Sequence, residues 1–102
     1  MQVFYLEGTI KVMKVIKIGA EWCSGCLVMR PRWQKVEDEM PELKTEYYDY
    51  DNDKKKMEQY GVDGGRLPCF IWLDKDGQEI ERVTGEPSVK KLMEIIQRNK
   101  DK

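Results

Sequence analysis

The stretch AEWCSGC, residues 20–26, places Cys23 and Cys26 three positions apart, directly after Trp22. Residues 15–18 before it are apolar and β-branched except for Lys17, which predicts a central strand. Residues 26–40 after it have the apolar spacing of a helix, with steps of four, three and four between Met29, Trp33, Val36 and Met40. The two cysteines are therefore expected at a strand-to-helix junction, with Cys23 at the amino end of the helix.

The rest of the chain continues this alternation of strands and helices. Further strands are predicted at 3–6, 43–51, 69–74 and 78–84, and further helices at 52–60 and 87–99. Residues 62–66 read as a polar, glycine-containing loop, and residues 75–77 as a hairpin turn. This order predicts one α/β domain over residues 1–102, built on a central mixed β-sheet with helices on both faces.

Composition narrows the class of protein. Of 102 residues, 40% are hydrophobic and 36% are charged, with a formal net charge of −1. We expect no nucleic-acid partner and no membrane partner, because the charge is nearly balanced and no apolar run is long enough to span a bilayer. The N-terminus lacks the pattern of a secretory signal, and three cysteines cannot all pair with one another. The expected compartment is therefore cytoplasmic.

The cysteine pair has three possible interpretations: a redox dithiol, two metal ligands or two core thiols. At a helix start, free backbone N–H groups and the helix dipole stabilise a thiolate on Cys23. Cys26 lies one turn further in, where it could close a disulfide, and we expect it to be the more buried. A closed zinc site needs four ligands, whereas the chain adds only Cys69 and has no histidine. The redox interpretation is favoured, and a binding or metal-holding module using all three cysteines is the alternative.

Four features together resemble the thioredoxin family. They are W-C-x-x-C at residues 22–26, Pro31 five residues after the second cysteine, Y-G-V at 60–62 and Pro68 at the start of a strand. The resemblance covers most of the chain, from about residue 15 to the C-terminus. It implies a thioredoxin fold, in which Pro31 bends the first helix.

The resemblance also implies a function. The chain would be a thiol–disulfide oxidoreductase that reduces protein disulfides, needs no bound cofactor and receives electrons from a separate reductase of the thioredoxin-reductase type. Cys23 and Cys26 would be catalytic. Pro68 would be cis, Leu67 would offer its backbone to an extended substrate peptide, and the apolar rim of the docking surface would consist of Trp22, Pro68 and Gly85.

The chain departs from the family in the dipeptide between the cysteines. Ser24 and Gly25 stand where the family has glycine and proline. Without the proline, one more N–H group is available near the sulfurs. Because an added donor favours the thiolate form, we expect a redox potential less reducing than that of an ordinary thioredoxin.

A second departure concerns charge behind the pair. Lys17 stands where the family has a buried aspartate that helps to deprotonate the second cysteine. Its ammonium either lies behind Cys26 and modulates that thiol, or extends to the edge of the sheet. Tyr47 stands where the family often has a lysine, and its hydroxyl is a possible partner for Lys17.

Two further departures are Cys69 and the N-terminus. Cys69 follows Pro68, where the family usually has threonine. It is expected close to Cys26, either as a small apolar side chain or as a further thiolate. Only sixteen residues precede Lys17, so the N-terminal region is expected to be shortened, to a strand or a small hairpin.

Overall fold

The computed structural model describes residues 13–100. Along the chain it has β1 (Lys14–Gly19), α1 (Ser24–Glu39), β2 (Lys44–Asp49), α2 (Lys54–Tyr60), β3 (Cys69–Leu73), β4 (Glu79–Thr84) and α3 (Val89–Asn99). A short 3-10 helix, Gly64–Arg66, lies within the predicted loop. The order of strands and helices is as predicted over this range. The strand expected at 3–6 and the shortened N-terminal region lie outside the described residues.

The four strands form one mixed sheet in the order β2-β1-β3-β4. The β1 and β2 strands are parallel, whereas β3 is antiparallel to both β1 and β4. The inner strands are the more apolar: β3 has no charged residue and β1 has only Lys14 and Lys17, whereas the outer strands of the described sheet, KTEYYD and EIERVT, have three charged residues each. The predicted mixed sheet is therefore confirmed, with β1 in its interior.

Both faces of the sheet are covered, because alternate side chains of each strand point to opposite faces. On one face, Val15, Phe70 and Trp72 pack against α1 and α3. On the other face, Ile16 and Ile71 pack against Met57 of α2. Since β3 is buried on both sides, its sequence reads as an unbroken apolar run.

The first helix begins two residues earlier than the sequence predicts. Cys23 is its N-cap, and the helix continues through Pro31 to Glu39; the bend expected at Pro31 stays a prediction. Gly61 ends α2 with a φ of 62°, the left-handed conformation that favours glycine. No helix within residues 13–100 is long and apolar enough to cross a membrane.

Candidate active site

Cys23 occupies the position that connects the end of β1 to the start of α1. Its N–H donates to the carbonyl of Ala20 at 3.2 Å. Its Sγ accepts the backbone N–H of Cys26, also at 3.2 Å. The sulfur thus takes the place of the serine or aspartate oxygen that usually caps a helix. The predicted location of Cys23 at the helix start is confirmed, and both cysteines belong to the same turn.

Cys26 is not more buried than Cys23, which corrects the expectation from the sequence. Their exposed fractions are 8% and 7%, because the chain folds Ala20, Leu67 and Tyr50 around both. The two thiols differ instead in their surroundings. Burial first, and the hydrogen bond with Cys23 second, raise the pKa of Cys26 to about 12, although a hydrogen bond with the backbone of Ala20 and, less strongly, the Arg30 guanidinium act to lower it. Cys26 therefore remains a protonated thiol at neutral pH.

Pro68 and Gly85 adjoin the cysteine turn. The Leu67–Pro68 peptide bond is cis, as the resemblance implies. The N–H of Gly85 donates to the carbonyl of Pro68 at 2.9 Å, and Pro68 Cδ lies 3.1 Å from where a Cβ at Gly25 would be. Leu67 is extended, with φ −101° and ψ 148°. These residues thus lie together beside Cys23 and Cys26, although their role in binding stays a prediction.

Trp22 is the largest apolar group exposed beside the pair. Its side chain is held in place although the residue is 60% exposed. Its indole N–H donates to Asp51 Oδ2 at 2.7 Å, and its ring meets that of Tyr50 edge to face, at 6.3 Å between centroids. Sequence reasoning missed Asp51, because nothing in the local pattern connects two residues twenty-nine positions apart.

Behind Cys26 lies a cavity of about 280 Å³. Lys17 lines it together with Cys26, Trp33, Glu37 and Tyr47. The Lys17 ammonium forms an ion pair with Glu37 Oε2 at 2.5 Å. Its hydrogen-bond partner is therefore the glutamate of α1 rather than the tyrosine suggested by the sequence. The lysine shares a cavity with Cys26, and Glu37 supplies the opposite charge there.

Cys69 does not join the other two cysteines, which corrects the closeness expected from the sequence. Its side chain packs with Ile16, Ile18 and Met57 on the α2 face, whereas Cys26 lines the cavity on the α1 face. Alternation along β3 separates them, because Cys69 and Phe70 point to opposite sides. Within residues 13–100, no three histidine, cysteine or acidic side chains group so as to hold a metal. Cys69 is a small buried side chain, and burial raises its pKa.

Comparisons with known proteins agree with this geometry. A family model described as "Thioredoxin" matches residues 6–100. A thioredoxin of Chlamydia trachomatis is 32% identical over 85 residues, which are 83% of this chain and 80% of that protein. A thioredoxin of Malassezia sympodialis is 32% identical over 75 residues, 72% of this chain and 70% of that one. The structure of Fasciola hepatica thioredoxin superposes with a TM-score of 0.80 at 27% identity, covering 93% of this chain and 88% of the other.

Proposed function

Because this chain belongs to the thioredoxin family of thiol–disulfide oxidoreductases, we propose that it reduces protein disulfides through a dithiol formed by Cys23 and Cys26. One observation carries the proposal: the Cys26 N–H donates to Cys23 Sγ at 3.2 Å. A backbone N–H directed at sulfur stabilises negative charge on it. The same bond holds the second thiol within one helical turn of the first.

The reaction has two steps. The Cys23 thiolate attacks one sulfur of the substrate disulfide. A Cys23–substrate bond forms, the substrate bond breaks, and the departing sulfur takes up a proton. Cys26 then loses its proton and attacks Cys23 Sγ. The second substrate sulfur leaves as a thiol, and the chain retains a Cys23–Cys26 disulfide. The substrate has gained two electrons and two protons.

Leu67, Pro68, Gly85 and Trp22 form the proposed docking groove for the substrate. Within residues 13–100, the backbone of Leu67 makes no hydrogen bond with another backbone group. Its extended conformation suits pairing with an extended peptide. Trp22 and Pro68 supply the apolar contacts, and Gly85 has no side chain to obstruct the peptide.

Turnover with dithiothreitol as the electron source tests the proposal. The chain should reduce a disulfide-bonded protein catalytically, and Cys23→Ser should abolish turnover. Cys26→Ser should accumulate the mixed disulfide, visible as added mass. Cys69→Ala is the matched control, because Cys69 lies buried on the other face of the sheet, and this variant should keep its turnover. Full activity of Cys23→Ser would reject the assignment.

The electron donor, the direction of transfer and the compartment are part of the same proposal. We infer a separate reductase, a net reducing role and a cytoplasmic location, with residues 1–102 acting as a single domain.

The redox potential of the Cys23–Cys26 pair decides the direction of electron transfer. Equilibration with dithiothreitol or glutathione buffers measures it, and a potential less reducing than that of ordinary thioredoxin agrees with the Ser24–Gly25 dipeptide.

A further inference from the structure

A carboxylate lies over the turn that joins the two cysteines. A Cβ atom at Gly25 would be 2.9 Å from Glu86 Oε2 and 3.1 Å from Pro68 Cδ. Because such a contact is below 3.0 Å, a side chain at Gly25 and the Glu86 carboxylate could not both keep these positions. The Glu86 carboxylate therefore lies against Gly25, which stands between the two cysteines where the family has proline.

The backbone that carries Glu86 is fixed from two sides. Arg32 Nη1 donates to the carbonyl oxygens of Glu86 at 2.9 Å and of Pro87 at 3.1 Å. On the other side, the N–H of Gly85 donates to the carbonyl of Pro68 at 2.9 Å. Gly85 has a φ of 96°, a conformation that other residues rarely adopt, and so turns the chain at this point. The backbone of Glu86 is therefore held beside the cysteine turn.

The Glu86 side chain itself remains available. Glu86 is exposed, and within residues 13–100 its carboxylate accepts no hydrogen bond and forms no salt bridge. Arg32, the cation that contacts this segment, donates to carbonyl oxygens rather than to the carboxylate. An exposed carboxylate that forms no ion pair attracts a cation from whatever binds next to it.

The other side of the proposed docking groove is also acidic. Trp22 donates to Asp51, and both line a surface depression with Glu21 and Asp49. A peptide bound between Trp22 and Pro68 would therefore have carboxylates on both flanks. Opposite charge on the peptide favours such a complex, whereas like charge opposes it.

We infer that Glu86 is a specificity-determining residue, which makes the chain prefer disulfides of peptides with lysine or arginine beside the reacting cysteine. Aspartate or glutamate at that place would be disfavoured. The inference rests on the proposed function, because it concerns a peptide held at Cys23. The atoms and electrons exchanged are those of the two steps given above. Glu86 acts on binding and approach, and it takes no proton.

The test compares three disulfide peptides that differ only in the residues flanking one cysteine: lysine, glutamine or glutamate. Rates are measured as kcat/KM at low salt with dithiothreitol as electron source. The intact chain should favour the lysine peptide. In Glu86→Gln, kcat/KM for the lysine peptide should fall about threefold and kcat/KM for the glutamate peptide should rise about threefold, as expected for exposed charge pairs. Their ratio should thus fall about tenfold.

Glu42→Gln is the matched control, since it removes the same charge from an exposed site beyond the far end of α1. That helix has sixteen residues and is about 24 Å long. The control should keep the full lysine preference, and added salt should reduce the preference of the intact chain. If the ratio of kcat/KM for the lysine peptide to that for the glutamate peptide is the same in the intact chain and in Glu86→Gln, the inference is overturned. The proposed function still stands in that case if the intact chain reduces the glutamine peptide. Failure of the intact chain to reduce any peptide overturns both.

Discussion

The high pKa of Cys26 predicts that this thiol reacts slowly with alkylating reagents. Raising a thiol pKa from 9.0 to about 12 lowers the thiolate fraction at pH 8 about a thousandfold, since each pKa unit is a factor of ten. Only the thiolate reacts with alkylating reagents. Even where the reagent can reach its sulfur, Cys26 should therefore react at least about a hundredfold more slowly than a thiol in an unfolded peptide.

Iodoacetamide labelling followed by mass spectrometry of the separated peptides measures this. The rate at Cys26 should rise about tenfold for each pH unit up to about pH 11, provided that the protein stays folded. Cys23→Ala separates the two main causes. It removes the hydrogen bond and the charge of Cys23 but keeps the burial, which is the larger cause. Cys26 should then react faster than in the intact chain, yet still more than about tenfold slower than a peptide thiol.

The same pKa has a consequence for stability. Because the folded chain holds the Cys26 proton more tightly than the unfolded chain, this contribution is complete below about pH 9. It falls as the pH rises towards about 12. Cys26→Ala should therefore show a flatter alkaline decrease in the free energy of unfolding.

In the labelling experiment, if Cys26 in Cys23→Ala reacts as fast as a peptide thiol, burial is not the main cause of its high pKa and the reasoning fails.

Three other predictions concern the packing around the site. Glu37→Gln should lower the free energy of unfolding by about 1–3 kcal/mol in urea, because it leaves Lys17 partly buried without its anion; no loss would mean that the pair is not formed in solution. Gly19→Ala should slow release of substrate from the mixed disulfide, because its Cβ would lie 2.9 Å from Cys26 Sγ; stopped-flow rates equal to those of the intact chain would contradict this. Ile96→Val, in the core on the α1 face, should cost about 0.5–1.5 kcal/mol without changing kcat/KM; a change in kcat/KM would connect that core to the site.

Local patterns in the sequence were sufficient for the fold and for the position of Cys23. The unbroken apolar run of β3 indicates a strand covered on both faces, and the helical spacing after Cys26 indicates α1. The start of α1 was predicted two residues late, because a cysteine side chain rather than that of a usual capping residue accepts the N–H of Cys26.

Features that depend on distant residues could not be predicted in the same way. Glu37 meets Lys17 only after α1 packs on the sheet, and Glu86 meets the Gly25 turn only through the loop that follows β4. The predicted closeness of Cys69 to Cys26 was wrong, because it depends on which face of β3 is covered by α1. Alternation gives the two faces, but it does not tell which helix covers each one.

The two hydrogen bonds of Arg32 join the helix that carries the cysteines to the segment Glu86–Pro87 that faces them. Arg32 thus ties α1, which carries Cys26, to the segment next to Gly85 of the docking groove, and this connection resists movement of that side of the groove. The adaptation in shape must then come from the partner. Disulfides in pliable loops, or in regions that have already lost their structure, should be attacked in preference to equally exposed disulfides held in rigid frames.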